Sequence, residues 1–106
     1  MQIREYLRPD GTCPFRRWLD SLATVVSARI QARIARFEAG NLGDVRPLEH
    51  EVMEARFHFG PGYRLYFARD GRTTLILLCG GDKSTQRTDI LRARSYLLDY
   101  LRRGVS

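Results

Sequence analysis

The sequence predicts an α+β domain of order β-α-α-β-β-β-α: a small antiparallel-rich sheet with two helices before its meander and one after it. Three observations carry this prediction. Residues 53–59 and 63–68 alternate apolar and polar side chains at the two-residue period of half-buried strands. Thr73–Cys79 is a continuous apolar run of central-strand length. Three further segments carry apolar residues three or four apart, the period of a helix that buries one stripe.

Taken in order, residues 2–7 alternate Ile3, Glu5 and Leu7 against Arg4 and Tyr6 and form the first expected strand. Arg8-Pro9-Asp10-Gly11 is a turn. Pro14 suits the first position of a helix, with Thr12 or Cys13 where a cap would stand. Phe15, Trp18, Leu19 and Leu22 are its apolar stripe, which makes Trp18 a core residue. A second helix is expected over 25–39, with Val26, Ile30, Ile34 and Phe37 on one side and Arg29, Arg33 and Arg36 on a polar side, read first as a solvated face with a nucleic-acid stripe as the alternative. Gly40 or Asn41 ends it. Residues 41–51 read as a polar linker holding an inert His50. Gly60-Pro61-Gly62 closes a hairpin that sets Phe59 against Tyr63, Phe57 against Leu65 and Ala55 against Phe67. Asp70-Gly71 is a two-residue turn into the apolar run. Gly80-Gly81 ends that strand, and Cys79 becomes a buried thiol. A last helix is expected over 84–103, with Ile90, Ala93, Leu97 and Leu101 on one stripe and Ser84 or Thr85 as its cap. All helices are expected on one sheet face, which leaves the other wet.

At 106 residues the chain is expected to be one domain, 1–106. Eighteen basic residues against twelve acidic ones give +6, and all the basic ones except Lys83 are arginine. That balance favours an anionic partner. Cys13 and Cys79 fit no metal spacing, so no metal and no cofactor is expected. Gly80-Gly81 and Lys83-Ser84 lack phosphate-loop spacing. The chain shows neither an h-region nor an apolar run of membrane length, so a cytoplasmic protein without membrane contact is expected.

The hairpin's expected wet face gathers the chemistry. His58 would stand beside Arg64 and Arg56 beside Tyr66, giving two guanidiniums, an imidazole and a phenol on one surface. Such a set suits a phosphodiester: arginine for phosphate charge, imidazole for proton transfer, an aromatic ring to stack or position a base.

Segments spread along nearly the whole chain also carry a family resemblance. They are Pro14-Phe15 with Trp18-Leu19, Ala28-Arg29-Ile30, residues 40–44 (GNLGD), Glu54-x-Arg56-Phe57, residues 60–64 (GPGYR) and residues 80–86 (GGDKSTQ). Together they resemble the RelE/ParE superfamily of type II toxins, and within it the phage-derived Gp49-like, HigB-related addiction module killer proteins. The resemblance implies a RelE-like fold and a toxin held inactive by a cognate antitoxin of helix-turn-helix type, with operator DNA bound only through the antitoxin complex. It also implies a metal-independent endoribonuclease acting on mRNA in the ribosomal A site: the ribose 2′-OH attacks the adjacent phosphate and leaves a cyclic phosphate and a 5′-hydroxyl. The Tyr63-Arg64 pair matches the motif whose arginine contacts the scissile phosphate, Arg56 a basic position on the preceding strand, and Lys83 the post-strand arginine. There are two departures. Glu54 stands where RelE has a lysine, and the late tyrosine of RelE has no equivalent, since Asp89 and Ile90 occupy its region. The expected catalytic set is therefore Arg64, Lys83, Arg56 and, as general base, His58, with Tyr66 and Tyr63 at the substrate. The alternatives are a ParE-type gyrase inhibitor without nuclease chemistry and an inactive toxin-like scaffold.

Overall fold

The apolar stripes and alternating segments become helices and strands in the expected order, with one strand added. The structure, a computed structural model, describes residues Met1–Gly104. The elements are β1 (Gln2–Glu5), α1 (Pro14–Asp20), α2 (Thr24–Glu38), β2 (Val45–Pro47), β3 (Met53–Arg56), β4 (Arg64–Asp70), β5 (Thr74–Gly81) and α3 (Gln86–Arg102). Short 3-10 turns at Glu49–Glu51 and Lys83–Thr85 precede β3 and α3. The sheet order is β1-β5-β4-β3-β2, with β1 parallel to β5 and every other pair antiparallel. The apolar run is thus an interior strand, as its composition requires. β2 lies inside the segment expected to be a linker. Its three residues pair Val45 with Ala55 and Pro47 with Met53. A proline is tolerated there because the strand is a sheet edge.

The helices do not share one face. α1 and α2 cover one side, where Phe15, Leu19, Ile30 and Phe37 pack on Ala55, Phe57, Leu65, Phe67, Leu75 and Leu77. α3 covers the other, where Ala93, Leu97 and Tyr100 pack on Tyr66, Ala68, Ile76, Leu78 and Cys79. Three apolar stripes cannot all lie on five short strands from one side. Each fully buried Leu or Phe contributes about 1.5–3 kcal/mol, so a stripe left in water would forfeit several such terms. The expected wet face is therefore a second core. A bulge between β4 and β5 makes this possible: Tyr66 pairs with Cys79 but Phe67 with Leu77, which leaves Leu78 extra. Leu78 and Cys79 then both reach the α3 side.

Both glycines expected to end β5 lie within it and pair with Leu65 and Arg64. They are sites of close approach. A Cβ on Gly80 would stand 2.2 Å from the Trp18 ring, and one on Gly81 would stand 1.8 Å from the Asp89 carboxylate. The loop after Asp70 has three residues rather than two, because Asp70 pairs with Thr74. Gly71 takes the left-handed conformation there, at φ 72°. Thr85 stands at the N-cap of α3, as one of the two expected residues, but makes no side-chain cap bond to it; the capping box belongs to the 3-10 turn before it and is built on Asp82. Asp82 Oδ1 accepts from the Ser84 amide at 2.8 Å, and Thr85 Oγ1 accepts from the Asp82 amide at 3.3 Å.

The α3 interface holds phenols against carboxylates. Tyr6 donates to Asp99 at 2.6 Å and Tyr100 to Asp70 at 2.7 Å. Burial first, and then Asp99, push the Tyr6 phenol up to about 12. Burial also raises Tyr66 and Tyr100. The folded value exceeds the unfolded value near 10, so the stabilisation is complete below that pH and is lost as pH rises through the folded value. Ultraviolet titration of the folded protein should show Tyr6, Tyr66 and Tyr100 ionising late. Simultaneous ionisation of all tyrosines near the ordinary value, with the fold intact, would contradict this arrangement.

Candidate functional site

The β3–β4 connection builds the site. Ala55 pairs with Leu65 and Arg56 with Arg64, two residues away from the expected hairpin register. A two-residue slip keeps every side chain on its own face, so the apolar set is unchanged while the polar neighbours differ. Glu54 stands beside Tyr66, and Arg56 beside Arg64. His58 lies beyond the strand, in a loop closed by the Phe57 amide donating to Tyr63 O at 3.0 Å. Gly60 and Gly62 turn this loop at φ 57° and 79°. The Lys83 amide reaches Pro61 O at 3.4 Å, which ties the loop to the start of the 3-10 turn.

An open depression of about 440 Å³ results, lined by His58, Gly60, Gly62, Arg64 and Lys83 with Phe57 and Phe59. Three of the four expected catalytic residues line it, and the fourth, Arg56, stands directly across from Arg64. The Arg64 side chain is only 13 % exposed, a correction to its expected place on a wet face. Its Nη1 donates to Gly62 O at 3.1 Å and Tyr63 O at 3.3 Å. Lys83 is exposed and makes no ion pair among the described residues. Like charges directly opposite on neighbouring strands repel, so the Arg56–Arg64 pair needs anions. Asp44 supplies one, accepting from Arg56 Nη2 at 3.2 Å. Glu54 supplies the other at 4.0 Å from Arg64 Nε. Both arginines still hold a buried Nε without a hydrogen-bond partner.

Asp44 also pairs with His58 Nε2. These two partners, His58 before Arg56, hold the Asp44 carboxyl below its usual range. A histidine oriented by a carboxylate was not expected from the sequence. Asp44 lies fourteen residues before His58, in a segment read as a linker, and only the β2–β3 pairing brings the two together. The clamp that fixes this segment is Arg33. Its guanidinium donates to Leu42 O at 3.1 Å, Arg56 O at 2.8 Å and Asp44 O at 2.8 Å, and burial lowers its pKa. Arg33 is therefore structural, not part of a solvated face. His50, expected to be inert, does not line this depression.

Tyr66 does not reach the site. It is fully buried under α3, against its expected place at the substrate. Its hydroxyl lacks a hydrogen-bond partner and faces the Glu54 carboxylate, which adds to the effect of burial in raising the phenol. Tyr63 is half-buried, with its ring centroid 5.5 Å from that of Phe59. Glu54 itself is completely buried and accepts from Arg46 Nε at 3.0 Å and Gln86 Nε2 at 2.7 Å. The expected lysine-to-glutamate departure thus places an anion beneath the arginines rather than a cation on the surface. Among the described residues no three His, Cys, Asp or Glu side chains are grouped to hold a metal. No helix among them is long and apolar enough to cross a membrane.

Two comparisons bear on what this site is. An uncharacterised protein of Haemophilus influenzae is 43 % identical over 84 residues, which cover 78 % of this chain and 85 % of the relative. The family model described as "Phage derived protein Gp49-like" matches residues 17–93, a span that contains α2, the whole meander, Asp44, His58, Arg64 and Lys83. The chain belongs to this Gp49-like family, a family of the RelE/HigB toxin type, which sets it in a toxin–antitoxin context with an antitoxin as partner.

Proposed function

We propose that the protein is a ribosome-dependent mRNA endoribonuclease whose cleavage is metal-independent and which a helix-turn-helix antitoxin silences. The observation that carries this reading is the convergence of His58, Arg64 and Lys83 on one open depression, with Arg56 opposite Arg64. Arg64 and Lys83 neutralise the extra charge of the phosphorane formed when the 2′-oxygen attacks phosphorus. Arg56 sets the field on the strand side and orients phosphate or ribosomal RNA. With His58 Nε2 turned to Asp44, Nδ1 is the nitrogen left to take the 2′-OH proton and return one to the departing 5′-oxygen. Asp44 is a positioning residue in this scheme, and Tyr63, packed against Phe59 rather than lining the depression, would act only by supporting that ring. So few groups act efficiently only on a strand already bent for in-line attack, which the ribosomal A site supplies.

The test is cleavage of mRNA on programmed ribosomes by the purified chain, with free RNA and gyrase supercoiling assayed beside it. Ribosomal cleavage leaving 5′-hydroxyl and cyclic-phosphate ends, with free RNA barely cut, is the expected result. Inhibition of supercoiling without ribosomal cleavage would overturn it in favour of a gyrase poison.

A further inference from the structure

Beside the depression runs a second concavity, which borders on His58 and Arg56 but is otherwise lined by residues that the cleavage chemistry does not use. It has a volume of about 210 Å³ and lies between α2 and the Phe57–Phe59 segment, lined by Arg29, Ala32, Arg36, Arg56, His58 and Phe59 among others. It shares Phe57, His58 and Phe59 with the first depression, so the two lie side by side on the same loop. We infer that this groove is a second phosphate subsite, which holds the backbone of the single-stranded RNA next to the reacting phosphate. The inference rests on the ribonuclease reading and extends it along the substrate.

Two features separate the groove from a merely solvated helix face. The first is that one of its cations is already placed. The Arg29 guanidinium lies 3.7 Å over the centroid of the Phe59 ring. Stacking engages the face of the guanidinium and leaves its N–H donors free at the edge, where a phosphate oxygen can meet them in the plane. Less side-chain freedom is then lost on binding than for a free arginine. The second is the sign of the neighbouring charge. α2 carries Arg29, Arg33 and Arg36 against Glu38 alone. Arg33 is committed to three backbone carbonyls, and neither Arg29 nor Arg36 makes an ion pair among the described residues. Asp44 at the rim is occupied by Arg56 and His58. Two uncompensated cations therefore face one small, open concavity.

The test uses a short, fluorescently labelled single-stranded RNA whose 2′-O-methyl groups prevent cleavage. Its affinity is followed by anisotropy between roughly 50 and 200 mM salt. Each phosphate contact on a single strand contributes about −0.7 to the slope of log affinity against log salt. The Arg29→Ala/Arg36→Ala variant should therefore have a slope shallower by about 1.4, so that it loses about sevenfold less affinity than the parent over that range. The Arg69→Ala/Arg72→Ala variant removes the same charge at the far end of the β4–β5 hairpin and should keep the parent slope. Equal changes in both variants would reduce the groove to net charge and overturn the inference, as would an unchanged slope in the first. Duplex DNA bound as tightly, and weakened by the same variant, would also overturn it. A slope that behaves as expected in a parent that cleaves nothing on the ribosome would leave the subsite standing and remove the ribonuclease reading instead.

Discussion

Replacing Arg64 by alanine is expected to slow RNA cleavage roughly 10²–10³-fold, the loss of about 2.7–4 kcal/mol found when one preorganised donor to a developing oxyanion is removed, and to abolish growth arrest when the chain is expressed alone. The magnitude follows from how the side chain is held. Arg64 opens β4, paired with Gly81 on one side and Arg56 on the other. The Gly62 and Tyr63 carbonyls fix its Nη1, and Glu54 stands behind its Nε. The guanidinium is thus placed before substrate arrives and need not reorganise as charge develops on phosphorus. Because the side chain is mostly buried, the truncation also removes a partner of Glu54, so the fold must be followed separately by circular dichroism. Arg64→Lys serves as a second variant: it keeps the charge, loses the planar fork, and should fall between the two. Wild-type cleavage by a folded Arg64→Ala protein would remove Arg64 from the mechanism.

What the sequence disclosed about this site divides along a physical line. Alternation and helical stripes report which side chains are apolar, so Ala55, Phe57, Leu65 and Phe67 fall in one core, as their pattern requires. Register is set by loop geometry. Gly60-Pro61-Gly62 looks sufficient to close the hairpin, yet His58 and Phe59 join the loop, and the pairing moves by two residues. Faces survive such a slip but neighbours do not, which is why His58 finds Asp44 rather than Arg64. The α3 side differs for a related reason: Glu54, Arg56, Arg64 and Tyr66 are polar enough to resemble a wet face, and hydropathy does not reveal that α3 will cover Tyr66 and Glu54 while Arg56 and Arg64 stay at the rim.

Arg33 and Asp44 show the other limit. Nothing in the local pattern distinguishes Arg33 from Arg29 and Arg36, all on one side of a helix. Only the proximity of the residue 42–44 carbonyls makes Arg33 a clamp, and that proximity comes from β2 pairing with β3. The family resemblance marked Arg64 and Lys83 through their motifs. It could not mark Asp44 as a partner of His58, because the pairing depends on tertiary placement rather than on a motif.

Glu54 carries the second large expected effect. Its carboxylate is wholly buried, in contact with Arg46 and Gln86 and 4.0 Å from Arg64 Nε. Removing one member of a buried ionic set leaves the others uncompensated, at about 3–5 kcal/mol. Glu54→Ala should therefore destabilise the protein by that amount, and at roughly 4–8 °C per kcal/mol for a domain near this size the melting temperature should fall by more than about 12 °C. Glu54→Gln separates charge from shape. It keeps the volume and an acceptor for Arg46 but leaves Arg64 facing Arg56 with only Asp44 to offset the pair. If Glu54 acts mainly as a counter-charge, Gln should lose most of what Ala loses. If it acts mainly as a hydrogen-bond acceptor and space filler, Gln should be nearly neutral. A melting temperature unchanged in Glu54→Ala would mean that the exposed half of Arg46 and the mouth of the depression let solvent screen these charges, and the preorganisation argued for Arg64 would then fall with it.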